Sequence, residues 1–353
     1  MNPRENVLAA MRRQNPERVP FGLSFTPPMY DLFVEKTGAH SPAEYWDFDA
    51  RWTYFRSPSE KAEYKAYFPE GLPEGSWIDE WGIGNVPGSM FHFAKMIAPL
   101  GNAQSVDEIL SYPLPDFTRL ECWQPIESDV SEYRGRGYAV GAGLEMTIFE
   151  VSWYLRGMEN LMSDMLQNPD MATALLDRIT EIRIFQAQTV ARIGVDVMAL
   201  GDDISMQTGM LMSPRMWRKW FKPRLAAVIA AAREVKPDIL VQYHTDGDCR
   251  AVIPELIEVG VDILNPIQPE CMDPVEIKQQ YGDRLSFSGT IGTQSTMPHG
   301  TPEEVRAAVK RMVATVGAGG GLFLAPTHVI EPDVPWENVL AFVDAAREYG
   351  VYD

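Results

Sequence analysis

The chain of 353 residues has little cysteine and little histidine: three Cys (Cys122, Cys249 and Cys271) and five His. Three thiols cannot build a disulfide framework. They suit a reducing compartment, and the expectation is a cytoplasmic protein. Long hydrophobic runs are also missing. No stretch approaches the roughly 18 apolar residues of a membrane span, and the longest run, LAAVIAAA, sits inside amphipathic helical text. The first residues, MNPRENVLAAMRRQNPERVP, lack the apolar centre of a signal peptide. Cationic charge is scarce, with 31 Lys and Arg against 49 Asp and Glu, a net charge of -18. Such a field repels phosphate backbones and anionic lipid, so neither nucleic acid nor a membrane is an expected partner. A small molecule is, and an anionic one is not excluded, because a pocket can differ from the whole.

A hydrophobic content of 45% and a charged content of 23% are ordinary for a globular chain of this size, which can bury a core unaided. Helix punctuation is clear. Thr301-Pro302-Glu303-Glu304 places an N-cap, a proline and a third-position glutamate ahead of Val305, Ala308, Val309 and Met312 at helical spacing. Trp336, Val339, Leu340 and Val343 repeat that spacing before Gly350. Ser213-Pro214 opens a helix expected to break or bend near Pro223. Strands are expected from Val19, Tyr138, Val195, Asp238, Val261, Leu285 and Gly321, most of them apolar throughout and separated by helical text. This is the pattern of parallel strands buried on both faces. Seven are readable and an eighth can hide in less regular text. The expectation is an α/β (β/α)8 TIM barrel forming a single domain over 1–353, with 25–137 as an insertion or cap after the first strand. A doubly wound sheet stays open, since strand count alone does not close a barrel. GAGGG at 317–321 follows a helix and opens a strand, the reverse of a dinucleotide fingerprint, and reads as a helix end with a tight turn.

In a parallel barrel, chemistry gathers where the strands end. Those ends carry Phe25, Glu145, Asp202, Asp203, Gln207, His244, Asp246, Gln268, Thr290 and His328. Two of the five histidines are there, with carboxylates close in sequence. Zinc takes imidazole nitrogen and carboxylate oxygen, and a catalytic site needs three protein ligands and an open position. His244, Asp246 and His328 supply three, with Glu145 or Asp203 as a fourth or a supporting partner. The blander alternative is a βα turn in which Asp246 caps, Gly247 bends and His244 packs, with His328 a hydrogen-bonding residue. Asp202-Asp203 reads either as a helix cap or as a carboxylate pair whose pKa values are split for acid and base work. Met206, Met210, Met212 and Met216 read as packing, and His40, His92 and His299 lie in loop-like text.

Longer stretches carry a resemblance. RENVLAAMRRQNPERVPF, WIDEWGIG, PLGNAQSVDEILSYPLPD, HTDGD, VDILNPIQPECMDPVEIKQQYGDRLSFSGTIGTQSTMPHGTPEEVR and GGGLFLAPTHVIEPDVPWENVL together resemble the uroporphyrinogen decarboxylase superfamily over nearly the whole chain. The resemblance implies a (β/α)8 barrel. True decarboxylases of that family bind substrate carboxylates with an arginine-rich stretch after the first strand. Here that text is SFTPPMYDLF, with no arginine from Val19 to Ala50. The other branch moves methyl groups between a substrate and a corrinoid protein and holds zinc through an H-x-C-G motif and a later cysteine. His244-Thr245-Asp246-Gly247 is similar to the first motif with aspartate for cysteine, and His328 falls about where the later cysteine would lie.

The resemblance therefore implies a metal-dependent methyltransferase moving a methyl group from a small methoxylated or methylated substrate to a corrinoid carried by a partner protein. Zinc would sit on His244, Asp246 and His328. The expected catalytic carboxylates are Asp203 and Glu145, and the expected substrate contacts are Phe25, Asp202, Gln207, Gln268 and Thr290. A harder N/O ligand set suits oxygen leaving groups better than thiolate-rich zinc does. The alternatives are a cofactor-free decarboxylase of a porphyrinogen or smaller carboxylate, with Asp202 or Asp203 as proton donor, and a non-catalytic ligand-binding barrel. A homodimer is a further expected assembly.

Overall fold

Seven short strands lie side by side in chain order in the computed structural model, which describes residues 1–60, 62–88 and 95–352. They are β1 (Ala50–Thr53), β2 (Ala139–Gly143), β3 (Val197–Gly201), β4 (Leu240–His244), β5 (Ile263–Asn265), β6 (Ser286–Ser288) and β7 (Leu322–Phe323). Every neighbouring pair is parallel. A doubly wound sheet reverses its strand order at a switch point. Unbroken sequential order rules that architecture out and leaves a curled, barrel-like sheet. β2 and β3 are buried at all five positions, which is why their text is apolar throughout.

The expected first strand is corrected. Residues 19–25 meet the sheet through isolated bridges, Phe21 with Leu324 and Phe25 with Ile330, and among the described residues no ladder joins them to β1. Pro20 has no N–H to donate, so a regular ladder cannot run through this segment. The sheet's first strand is β1, from the sequence ARWT, inside the stretch read as an insertion. The rest of that stretch holds helices Pro27–Thr37 and Gln124–Gly135 and a small antiparallel sheet of Trp77–Ile78, Gly84–Val86 and Lys95–Ile97.

Helices follow their punctuation. Thr301 accepts from the Glu304 N–H, and Glu304 returns the bond to the Thr301 N–H, opening helix Pro302–Thr315. The break expected near Pro223 falls at Phe221, with Pro223 in the first turn of helix Lys222–Val235. Helix Pro3–Met11 closes the N-terminal end of the sheet. Its Val7, Ala10 and Met11 form one buried cluster with Ala139, Val197, Leu240 and Ile263 from β2 to β5. Its last turn is tied down by bonds from the Gly321 N–H to the Ala10 carbonyl and from the Ser286 hydroxyl to the Met11 carbonyl, both 2.8 Å.

Register fixes which side chains face inward. Gly141 and Gly143 lie opposite Val197 and Ala199. Ala199 and Gly201 lie opposite Gln242 and His244, and His244 lies opposite Asn265. Barrel interiors are commonly filled by bulky branched residues. Here the inward row across β2 and β3 is largely glycine and alanine, so a cavity of about 800 Å³ remains.

Under the sheet, Asp196 is buried, at 1% exposure. It accepts from Arg4 at 2.8 Å, Arg134 at 3.0 Å and the Val140 N–H at 3.1 Å. Burial pushes its carboxyl up, but Arg4, Arg134 and the N–H outweigh that and hold it below the usual range. Asp196→Asn is expected to cost about 2–3 kcal/mol, below the roughly 3–5 kcal/mol of breaking a fully buried pair, because both guanidiniums are a third exposed. A depressed folded pKa stabilises above the unfolded value of about 3.9 and loses that contribution as pH falls through the folded value. Urea unfolding should therefore show a constant gap between wild type and variant from about pH 6 to 8, closing below about pH 4.

Candidate active site at the carboxyl ends of the strands

The sequence HTDGD turns sharply because of one glycine. Gly247 sits at φ +86°, and a Cβ there would lie 2.5 Å from the Met206 carbonyl oxygen. Only glycine meets both demands. The turn folds Asp246 back toward His244, while Asp248 leaves to pair with Arg250 at 2.6 Å. Gly201 answers a second demand. A Cβ there would come 2.6 Å from the His244 Cβ, so glycine on β3 gives the His244 side chain its place.

His244 Nδ1 lies 2.7 Å from Asn265 Oδ1. Asn265 donates its Nδ2 to the Ser288 carbonyl at 3.2 Å, which leaves its Oδ1 facing the imidazole. Nδ1 therefore donates to that oxygen, and Nε2 is the nitrogen left to take a second proton or a ligand. Nε2 faces Asp246 at 3.8 Å and Asp203 at 4.0 Å. The His328 ring is 6.2 Å from the His244 ring, centre to centre. One ligand atom from each of His244, Asp246 and His328 falls within 4.8 Å of the others. Tetrahedral zinc spaces its nitrogen and oxygen ligands by about 3.4 Å, so the three need to close by at most about 1.4 Å. Two imidazoles, one carboxylate and a second-sphere amide holding one imidazole match what zinc asks of its ligands. Cys249, the nearest thiol in sequence, is fully buried and outside this cluster, and burial pushes it up to about 12.

The electrostatics favour positive charge at this ring. Burial lowers the His244 pKa, but Asp246, Glu145 and Asp203 outweigh that and raise it to about 9. Asp203 accepts the Asp246 N–H at 2.8 Å, and its own N–H donates to Glu150 at 3.1 Å. Glu150 accepts from the Tyr154 hydroxyl at 2.9 Å. Burial, then Asp203 and Asp202, raise Glu150 to about 8.

The structure separates the other expected site residues. Phe25, Glu145, His244 and His328 line the cavity. Glu145 is exposed to it rather than buried among the apolar residues that follow it in sequence. Asp202 does not line it. It is buried and accepts the Ile148 and Glu150 N–H groups at 3.0 Å, capping helix Phe149–Arg156. That helix follows β2, not the strand that carries Asp202. Burial raises Asp202 to about 6 against those donors. Gln268 is buried too, and its oxygen accepts the Gly247 N–H at 3.2 Å, bracing the turn instead of facing substrate. Thr290 is 1% exposed and away from the lining. Gln207 donates to Gln294 at 2.7 Å on the surface. His92 lies outside the described residues. Sequence reading put Asn265 at the end of the fifth strand without giving it a role, and did not single out Glu150, Gln242, Trp52 or Tyr54. Alternation along β1 and β4 was the available signal for Gln242, Trp52 and Tyr54.

A curled parallel sheet with a His/Asp/His cluster at its carboxyl ends has the layout of a barrel enzyme's active site. The description of the family Uroporphyrinogen decarboxylase (URO-D) matches residues 142–349, and the chain belongs to that family. A methylcobamide:CoM methyltransferase of Methanosarcina barkeri is 29% identical over 55% of this chain and 54% of its own length. A methylated-thiol–coenzyme M methyltransferase of Methanosarcina mazei is 26% identical over 57% and 51%. A uroporphyrinogen decarboxylase of Coxiella burnetii is 23% identical over 52% and 49%. Over comparable lengths the methyltransferases are thus the more similar. The chain spans about half the length of these relatives. A methyltransferase structure from Methanosarcina mazei superposes with a TM-score of 0.70 at 19% identity over 99% of both chains, a likeness of fold. Among the described residues no helix is long and apolar enough to cross a membrane.

Glu150 gives a test of this electrostatic picture. Its folded pKa of about 8 lies above an unfolded value of about 4.3. Ionising it therefore opposes folding by an amount that grows through that window and levels off above it. Glu150→Gln is expected to melt above wild type at about pH 8, with the advantage shrinking toward about pH 5 in thermal denaturation.

Proposed function

We propose that this chain is a metal-dependent methyltransferase that moves a methyl group from a small methoxylated or methylated compound to a corrinoid carried by a partner protein. The observation that carries this reading is the convergence of His244, Asp246 and His328 within 4.8 Å at the mouth of a cavity of about 800 Å³. Relatives named as methylcobamide and methylated-thiol methyltransferases support the transfer of methyl. Cavity charge weighs against decarboxylation of a substrate with many carboxylates. The cavity-lining arginines, Arg51 and Arg136, both pair with Glu44, at 3.1 and 2.5 Å, while Glu145 adds negative charge to the same lining.

His244, Asp246 and His328 would hold zinc, which when bound supplies Lewis-acid stabilisation of negative charge developing on the leaving heteroatom. The rest falls to side chains. Asn265 fixes the ring of His244. Asp203 holds the Asp246 backbone, and Glu150 holds the Asp203 backbone. In such a transfer the carbon–heteroatom bond would break with its electron pair left on the heteroatom, and the partner's reduced corrinoid would be the acceptor of the methyl group. Glu145, exposed to the cavity, is the carboxyl placed to exchange a proton with the leaving group. Displacement needs the nucleophile, methyl and leaving atom in line, so the strand ends must leave the outer side of the site open to the partner.

Metal analysis of the purified protein tests this. About one zinc per chain is expected in wild type, and less than about a tenth of that in His244→Ala and His328→Ala, since each loses one of three ligands. Near-zero metal in all three proteins, or equal metal in all three, would overturn the reading.

A further inference from the structure

The metal cluster occupies only the rim of the cavity, and what lies beneath it has a chemical character of its own. Trp52 and Tyr54, at the inward positions of β1 and just past it, are 38% and 62% exposed, and both line the cavity. Their seats are set by glycine. A Cβ on Gly141 would lie 2.6 Å from the Trp52 ring, and one on Gly143 would lie 2.9 Å from the Tyr54 ring. Each ring lies against bare backbone of β2 and leaves aromatic surface to the cavity. Any larger residue at 141 or 143 would evict it.

Opposite stands a polar side chain without a partner. Gln242 is 8% exposed, lines the cavity, and makes no side-chain hydrogen bond among the described residues. Its amide atoms are not sealed off but open to the cavity, so a ligand group can bond them in place of solvent. Gln242 shares a strand face with His244 two residues on, which places it about 6.6 Å deeper. A para-disubstituted benzene ring, whose two oxygens are somewhat closer together than that, can lie along this depth.

We infer that this lower chamber is the substrate's binding slot, and that the substrate is an aryl methyl ether whose ring stacks on Trp52 and Tyr54 while a ring hydroxyl opposite the methoxy group bonds Gln242. The ether half rests on the proposed methyl transfer; the ring half rests on the slot alone. Aromatic walls beside a carboxylate also suit quaternary ammonium. Such a nitrogen has no lone pair for a Lewis acid to engage, so the cluster at the rim favours the ether.

Calorimetric titration decides it, run on the protein as purified and again after chelator treatment. The probes are 4-methoxyphenol, anisole, 4-methoxycyclohexanol and choline. Two aromatic contacts worth about 0.5–1.5 kcal/mol each should make 4-methoxyphenol bind about tenfold or more tighter than 4-methoxycyclohexanol. Trp52→Leu, which keeps apolar bulk, should shrink that preference. Gln242→Leu should erase a preference of about five- to tenfold for 4-methoxyphenol over anisole. Equal binding of ring and cyclohexyl probes to wild type, tighter binding of choline, or no saturable binding of 4-methoxyphenol would overturn the inference without recourse to any variant. Ring-selective binding by protein that purifies without metal would sustain the slot while the metal reading fails. A full complement of zinc with no ring binding would do the reverse.

Discussion

Everything at this site depends on side chains that are not there. Gly141, Gly143, Ala199 and Gly201 face inward along two adjacent strands, where a barrel of this kind is commonly packed solid. Removing that bulk forgoes hydrophobic burial in the middle of the sheet. What it opens is space for two aromatic rings, for the Cβ of His244, and for a cavity of about 800 Å³. The loss is met elsewhere. The floor is sealed by Val7, Ala10 and Met11 of the first helix, and the underside is tied by two arginines on Asp196.

Around that space the charges are arranged in shells that lean on one another. Asp203 and Asp246 face the same imidazole nitrogen, at 4.0 and 3.8 Å. Asp203 is held by its own backbone on Glu150, a carboxyl kept from ionising easily by burial and by its acidic neighbours. Clusters of like charge are expensive to fold, and such a cost is a recurrent mark of functional sites. A bound cation relieves it. The same logic gives Asp202 a different fate from its neighbour. Enclosed and surrounded by backbone donors, it works as a cap, while the very next residue, Asp203, faces His244.

Much of this was legible in the sequence, and the exceptions have physical causes. The strands of β2 to β7 announced themselves because burial on both faces leaves continuous apolar text. β1 did not, because its four residues include an arginine that is satisfied sideways by Glu44 and by backbone carbonyls and an indole that faces a cavity rather than a core. Conversely, VPFGLSF has the composition of a strand, but Pro20 denies it a ladder. The HTDGD turn was readable since glycine between two aspartates at a strand end has few other uses. Gln268 and Thr290 looked like contacts because they sit at strand ends, yet a strand end can point its side chain into the wall. Asn265 was visible as a strand-end residue, but its duty to His244 required the register of β4 against β5, which no local pattern encodes. Glu150 sits beyond the strand end, in the first turn of a helix, and only the fold brings it to Asp203.

The plug formed by the helix Pro3–Met11 sets an order of events. Its apolar face is made before the strands it seals, while two of its anchors, Ser286 and Gly321, come far later in the chain. Val7, Ala10 and Met11 therefore have no finished surface to rest on until β2 to β5 have been made, and no full set of anchors until Gly321 has followed. Loop closure over that separation is slow and leaves greasy surface uncovered in the meantime. A nascent chain of this design would draw on chaperones that mask this helix, and synthesis halted before the sixth strand would leave its last turn without the Ser286 and Gly321 anchors.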